Sequence, residues 1–350
     1  MVWPVADIMA GEMHFTAQGA LPLLPMRILL VKTSSLGDVV HNLPVVTDLR
    51  RRYPEAKIDW VVEENFADIP RLHSEVHRVI PVAIRRWRRS LLNPATWSEI
   101  RSFWRTLRAE HYELVIDTQG LLKSAFITRM ARGKRCGYAA SSAREPIAAR
   151  FYDVTFEVSR ALHAVERNRC LAAAAADYRL SSEPNYGVAA TCPRSGVPGM
   201  QSTPAPSFGD SNALLLTATS RDDKLWPEEC WIEVGRALRQ KGLACLLPAG
   251  NTAERQRAAR IALAIPGAVA LPPLGLTELA QQLAAARIVI GVDTGLVHLA
   301  VALGRPTLAL FSASDPALTG VLAETPAINL GTRGQPPSVD DVLTAAAPFF

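Results

Sequence analysis

"MRILLVKTSSLGDVVHNLP", Met26 to Pro44, decides how the chain begins to fold. Arg27–Val31, with its apolar run Ile28–Val31, reads as a strand, and it stops abruptly at Lys32-Thr33-Ser34-Ser35-Leu36-Gly37-Asp38. Beyond that polar stretch Val39, Leu43, Val46 and Leu49 recur at helical spacing as far as Arg52, so a strand passes through a loop into a helix. Pro44 disturbs the helix, because it has no N–H to offer the carbonyl of Val40.

Outward from this unit the alternation continues. Candidate strands are Lys57–Val62, Arg78–Val82, Leu114–Asp117 and Asp153–Val158; Ser98–Glu110 and His163–Tyr178 have helical patterning. Strands alternating with helices imply an α/β fold with a parallel sheet covered on both faces. "TCPRSGVPGMQSTPAPSFGDS", Thr191 to Ser211, is rich in Pro, Gly and Ser, has no periodicity and reads as a linker. The alternation then restarts with strand Ala213–Thr217, helix Pro227–Gln240, strand Leu243–Leu247 and helix Ala253–Ala264. Helix Leu276–Ala286, strand Arg287–Val292, helix Gly295–Leu303 and strand Thr307–Phe311 follow. The expected organisation is a flexible leader (1–25), an N-terminal α/β domain (26–190), the linker (191–211) and a C-terminal α/β domain (212–350), with a cleft between the domains.

The 350 residues suit two cores, and 49% hydrophobic with 20% charged residues is a globular balance. A formal charge of +5 favours an anionic partner: nucleic acid, an acidic membrane surface or a phosphorylated substrate. The five cysteines form no CxxC pair and no cluster with histidines, which argues against zinc and fits reduced thiols in the cytosol. No apolar run approaches the roughly 18 residues needed to span a bilayer. Residues 1–25 lack the basic start of a secretory signal.

Ligands of open α/β sheets collect where strands end and loops lead into helices. Asp38 stands at such a place, either as a helix-start carboxylate favoured by the helix dipole or as a catalytic group. Ser34, Ser35 and Gly37 beside it form a turn or a backbone anion nest. In the second half "TATSRDDKLWPEECW" (Thr217–Trp231) sets Thr219, Ser220 and Lys224 after a strand. That set suits phosphate oxygens, or else Asp222, Asp223 and Lys224 form surface ion pairs of little worth. "VIGVDTGLVHLAVALGRP" (Val289–Pro306) puts Asp293, Thr294 and Gly295 between strand and helix, where amides can bind a pyrophosphate, with His298 one turn further on as a ligand contact or a satisfied core residue. Glu254 in "PAGNTAER" is a candidate for ribose hydroxyls or a helix-start acid. "IRRWRRS" (Ile84–Ser90) carries Arg85, Arg86, Arg88 and Arg89 around Trp87. It is a solvated basic face or a binder of phosphates and sugar carboxylates, with Trp87 stacked beneath a guanidinium or set at a lipid headgroup. No nucleic-acid fold signature accompanies it, so the anion is not read as DNA or RNA.

Seven segments, in this order, together resemble one family: "VKTSSLGDVVHNLP", "DWVVEENFADIP", "VIPVAIRRWRR", "AREPIAARFY", "HAVERNR", "TSRDDKLWPEE" and "VDTGLVHL". They are similar to the ADP-heptose:lipopolysaccharide heptosyltransferases, and "RDDKLWPEE" favours the type I branch. The resemblance runs from Met26 to the C-terminal region; the leader and the long linker depart from the family pattern.

The resemblance implies a GT-B fold of two Rossmann-like doubly wound domains facing across a cleft, and an inverting, metal-independent transferase with no cofactor. The implied donor is ADP-L-glycero-β-D-manno-heptose. The implied acceptor is the inner 3-deoxy-D-manno-octulosonic acid (Kdo) of Kdo-lipid A, presented on the cytoplasmic face of the inner membrane, an anionic surface to which the protein would attach peripherally. Asp38 falls on the family's catalytic aspartate. The donor-contacting positions fall on Thr219, Ser220 (for a threonine), Lys224, Glu254, Leu274 (for a methionine), Asp293, Thr294, Gly295 and His298. Ser34, Ser35, Gly37, Arg85, Arg86, Arg88, Arg89 and Arg144 would meet the acceptor. Three other readings compete: a paralogous heptosyltransferase with another core acceptor, a nucleotide-sugar epimerase, and a non-catalytic anion- or lipid-binding protein of the same fold. Acceptor-dependent release of ADP from ADP-heptose separates the transferase from the other classes.

Overall fold

A computed structural model describes residues 2–3, 25–180, 183–188, 211–323 and 325–350. The chain divides into two compact units, Met1–Ser182 and Glu183–Phe350. Most of the leader (4–24) and nearly all of the sequence-assigned linker (191–210) lie outside the described residues.

The first unit is a seven-stranded parallel sheet of β1 (Val2–Trp3), β2 (Arg27–Val31), β3 (Lys57–Glu63), β4 (Val76–Val82), β5 (Tyr112–Asp117), β6 (Gly133–Tyr138) and β7 (Val154–Phe156), in the spatial order β1-β7-β6-β5-β2-β3-β4. The chain runs outward from β2 through β3 to β4, then returns to the other side of β2 to place β5. The β2–β5 boundary is therefore the topological switch point, where the loops after the two strands part and leave a crevice. The side chains of Ile28 to Val31 are all fully buried, as an apolar run in the centre of a parallel sheet requires.

The second unit is a six-stranded parallel sheet of β8 (Asn212–Leu216), β9 (Ala244–Leu247), β10 (Val269–Ala270), β11 (Ile288–Val292), β12 (Thr307–Leu310) and β13 (Ala327–Leu330), in the order β10-β9-β8-β11-β12-β13. The same outward-and-back path makes β8 and β11 its switch pair. Gly291 in β11 has a packing reason: an added Cβ would lie 2.6 Å from Val297 and 2.8 Å from Leu216 Cβ, so its absence lets the following helix sit close to the sheet.

The α/β class and the two doubly wound halves are as the sequence implies. The helix after β2 divides into Leu36–Val40 and Leu43–Arg52, with Pro44 in the first turn of the second piece, where a missing N–H costs nothing. Strand β6 was not expected. Its sequence Gly-Lys-Arg-Cys-Gly-Tyr lacks an apolar pattern, and Gly137 is there because the Tyr152 ring occupies the space of a side chain, 2.3 Å from where a Cβ would lie. Among the described residues no helix is long and apolar enough to cross a membrane.

Candidate active site

At the β2–β5 switch point the loop after β2 is held from several sides. Asp38 stands in the first turn of helix Leu36–Val40, and its Oδ2 accepts from the Ser35 N–H (2.9 Å) and from Ser35 Oγ (3.2 Å). Arg144 Nη1 is 3.6 Å from the same oxygen. Gln119, in the loop after β5, receives the N–H groups of both Thr33 and Ser34 on its Oε1 (3.1 Å each). Lys123 Nζ donates to Ser34 Oγ (2.7 Å). Burial holds that ammonium below its ordinary range; Glu63 and Asp38 oppose the shift, and Arg85 and Arg144 add to it. Glu63, Arg85, Asp38 and Arg144 thus all act electrostatically on Lys123.

Beneath the loop, Lys32 is buried and donates to Thr118 O (2.8 Å) and Asn168 Oδ1 (3.3 Å). Desolvation pushes its ammonium down to about 8, against the pull of Asp38 and Asp117. Asp117 closes the β5 loop by accepting the N–H groups of Gln119 (2.8 Å) and Gly120 (3.1 Å) on Oδ1 and the Tyr152 hydroxyl on Oδ2 (2.8 Å). Burial raises this carboxyl despite those bonds. Sequence reasoning passed over Lys32, Asp117, Gln119 and Lys123. The available signal was "DTQG" directly after an apolar strand, the same strand-to-polar-loop transition that singles out Asp38.

The arginine cluster divides. Arg85, Arg86, Arg88 and Arg89 are exposed. Arg86 is occupied by a bidentate contact with Glu64 (3.0 Å to each oxygen) and by Glu99 (2.8 Å). Trp87 corrects the expectation of a headgroup or stacking residue: it is buried, packs edge-on against Phe103 (5.8 Å between centroids) and donates its indole N–H to Glu99 (2.8 Å). It anchors the segment to the core rather than reaching out of it.

The second unit assembles its candidates at the β8–β11 switch point. Asp293 follows β11 and Thr294 is the N-cap of helix Gly295–Ala302. Lys224 Nζ donates to Asp293 Oδ2 (2.6 Å), Ser314 Oγ donates to the same oxygen, and Thr219 Oγ1 donates to the Asp293 carbonyl (3.0 Å). Residues from three strand-end loops thus meet at one carboxylate. Lys224 is not the surface ion pair of the bland reading; that role falls to Arg221 with Asp223. Ser314, after β12, was not picked out, and its only sequence signal was the hydroxyl pair of "FSASD" at a strand end. Arg257, also missed, donates to Thr217 O (3.3 Å), to Trp226 O and to Glu228 (3.1 Å), tying the β8 loop to helix Thr252–Leu263.

Glu254 closes a capping box at the start of that helix, accepting from Gly250 N–H (2.8 Å) and Asn251 Nδ2 (2.6 Å). Ser220 is exposed, Leu274 is half-buried, and His298 is buried on helix Gly295–Ala302. The structure therefore brings Thr219, Lys224 and Asp293 into contact, with Thr294 and Gly295 next in chain. Ser34, Ser35, Asp38 and Arg144 meet in the other unit.

The profile of glycosyltransferase family 9 (heptosyltransferase) matches residues 100–345. The lipopolysaccharide heptosyltransferase 1 of Pseudomonas aeruginosa is 46% identical over 309 residues, 88% of this chain and 84% of that relative. Among solved structures, the E. coli heptosyltransferase WaaC with ADP superposes with a TM-score of 0.83 at 38% identity, covering 93% of this chain and all of that one. The same E. coli enzyme with ADP-2-deoxy-2-fluoro heptose gives 0.78 at 40% identity, covering 92% and 98%.

Proposed function

Because this chain belongs to glycosyltransferase family 9, the heptosyltransferases, we propose that it moves L-glycero-D-manno-heptose from ADP-L-glycero-β-D-manno-heptose to the inner Kdo of Kdo-lipid A. The 46% identity to a relative named lipopolysaccharide heptosyltransferase 1 supports this acceptor over that of a paralogue. The observation that carries the reading is the meeting of Lys224, Thr219, Ser314 and Asp293 at the β8–β11 switch point, the place where an α/β sheet receives a nucleotide.

The diphosphate of the donor would lie against Lys224, the hydroxyls of Thr219 and Ser220 and the amides at Thr294 and Gly295. Glu254 would receive the ribose hydroxyls, Leu274 would pack on the adenine, and His298 would line the same pocket. Asp38 is the general base. All of its contacts among the described residues fall on Oδ2, which leaves Oδ1 to take the proton of an incoming Kdo hydroxyl. As that proton moves to Asp38, the Kdo oxygen forms its bond to the anomeric carbon from the face opposite ADP. The old bond from carbon to phosphate oxygen breaks, and its electron pair leaves with ADP. Lys224 and the amides stabilise the negative charge that builds on the departing phosphate. Ser34, Ser35 and Gly37 position the acceptor sugar, and Arg85, Arg88, Arg89 and Arg144 meet its carboxylate and phosphates, while Arg86 stays with Glu64 and Glu99. The acceptor sits in an anionic membrane surface, so the protein would work as a peripheral enzyme on the cytoplasmic face of the inner membrane.

Two measurements test the two substrate sides. Lys224→Ala removes a charge-assisted hydrogen bond worth about 1.5–3 kcal/mol, so ADP should bind at least about tenfold more weakly by calorimetry. Unaltered ADP affinity would detach Lys224 from the donor. Arg85→Ala/Arg88→Ala should raise the acceptor KM roughly fivefold or more, make activity less sensitive to salt and leave ADP-heptose affinity unchanged. If the double variant instead binds donor poorly and acceptor normally, these arginines belong to the nucleotide.

A further inference from the structure

Beside the arginines lies an apolar feature to which none of the site roles above is assigned. Residues Ser90 to Asn93 form a turn closed by a hydrogen bond from the Asn93 N–H to Ser90 O (3.0 Å), and Leu91 and Leu92 occupy its two corners. Corners of exposed turns favour Gly, Asn, Asp and Pro. Here Leu92 is fully exposed, Leu91 is 50% exposed, and Trp97 beside them is 48% exposed.

The feature is held in place. Trp97 donates its indole N–H to Leu91 O (2.8 Å), which fixes the ring against the turn. Ser90 Oγ bonds to Arg86 O (3.1 Å) and lies 3.0 Å from Thr96 Oγ1. Asn93 caps helix Pro94–Arg108 by accepting the Ala95 N–H (2.9 Å). The buried Trp87 ties the preceding residues to the core. The result is a firm prong with an apolar tip, flanked in sequence by the exposed Arg88 and Arg89, and by exposed Arg101 one helical turn beyond Trp97.

We propose that this prong docks on an anionic lipid bilayer. Leu91, Leu92 and Trp97 enter the boundary between headgroups and acyl chains, while Arg88, Arg89 and Arg101 meet lipid phosphates. Charge complementarity selects this occupant: apolar side chains ringed by guanidinium groups match a surface that is apolar within and negative at its rim. Trp suits the interface itself, with an apolar ring and one polar N–H. The proposal rests on the reading of an enzyme that works at an anionic membrane surface, and it needs neither Asp38 nor Lys224.

The test is co-sedimentation with phosphatidylglycerol/phosphatidylcholine vesicles that contain no sugar acceptor. The protein is expected to bind these vesicles and not pure phosphatidylcholine. Leu91→Ser/Leu92→Ser, which leaves the charge beside Arg88 and Arg89 unchanged, should weaken binding on the order of tenfold or more, since both leucines lose their transfer into an apolar phase. Leu263→Ser, at a 91% exposed leucine on the second unit, should leave binding unchanged. The leucine double variant should also transfer heptose normally to a Kdo acceptor stripped of its acyl chains. Three results overturn the prong: equal binding by Leu91→Ser/Leu92→Ser, an equal loss in Leu263→Ser, or equal binding to neutral vesicles. Loss of transfer to the stripped acceptor in Lys224→Ala or Asp38→Asn leaves vesicle binding intact, so failure of the catalytic reading and failure of the prong are told apart.

Discussion

Asp38→Asn is expected to lower kcat by about 10²–10⁴-fold at saturating substrates, the usual contribution of a general base. Asparagine is the informative replacement because it keeps the shape of the aspartate. Its amide oxygen can still accept the Ser35 N–H, which lies 2.9 Å from Asp38 Oδ2, so helix Leu36–Val40 keeps its start. The loop does not depend on Asp38 alone, since Gln119 holds the Thr33 and Ser34 amides and Lys123 holds Ser34 Oγ. What is lost is the ability to take a proton. The Kdo hydroxyl must then attack with its proton in place, and the transition state carries positive charge on that oxygen. ADP affinity by calorimetry should be unchanged, because every proposed donor contact comes from the second unit. A kcat within a few-fold of the unsubstituted enzyme would remove Asp38 from the base position.

That the strand-end position of Asp38 could be singled out, and its surroundings could not, has a physical reason. A strand that ends in a polar loop before a helix marks a ligand-facing position by local sequence alone, and Asp38 and Asp293 both carry that mark. The strand order is set by long-range pairing, which no local pattern encodes. Only that order shows that the loops after β2 and β5 flank one crevice, and that β8 and β11 do the same. Lys224 illustrates the point: its partner Asp293 is 69 residues away, while the neighbours that suggested a surface ion pair are two adjacent aspartates. Trp87 shows the opposite error. Four arginines around it suggested exposure, but its ring faces Phe103 and its N–H faces Glu99, both on the next helix. Strand β6 escaped notice because only Cys136, Gly137 and Tyr138 are buried in it, and at Gly137 the Tyr152 ring supplies the bulk.

A second large effect separates stability from catalysis. Asp48 is on helix Leu43–Arg52, the helix that follows the Asp38 loop, and Arg169 is on helix Ala164–Ala175. The guanidinium of Arg169 is buried and meets Asp48 through Nε (2.8 Å) and Nη2 (3.3 Å), with Glu166 on Nη1 (3.0 Å). Asp48→Ala takes from that buried cation the carboxylate that meets it at two nitrogens, and breaking such a pair costs about 3–5 kcal/mol. Glu166 remains in place, so the lower end of that range is expected, read as a fall in the urea midpoint. Asp48→Leu/Arg169→Met should recover most of the loss, because removing both charges leaves neither ion buried without the other. An unchanged midpoint in Asp48→Ala, or a double variant no better than the single one, would refute the assignment of this pair as a buried joint between the two helices. The contrast with Asp38 is the useful part. Asp48→Ala molecules that are folded should keep nearly full kcat, since the loop's own ties to Gln119 and Lys123 survive. Asp38→Asn should lose kcat with little change in midpoint. One helix thus carries a residue that holds the unit together, while the short helix before it carries the proposed base, and the two variants should fail in opposite measurements.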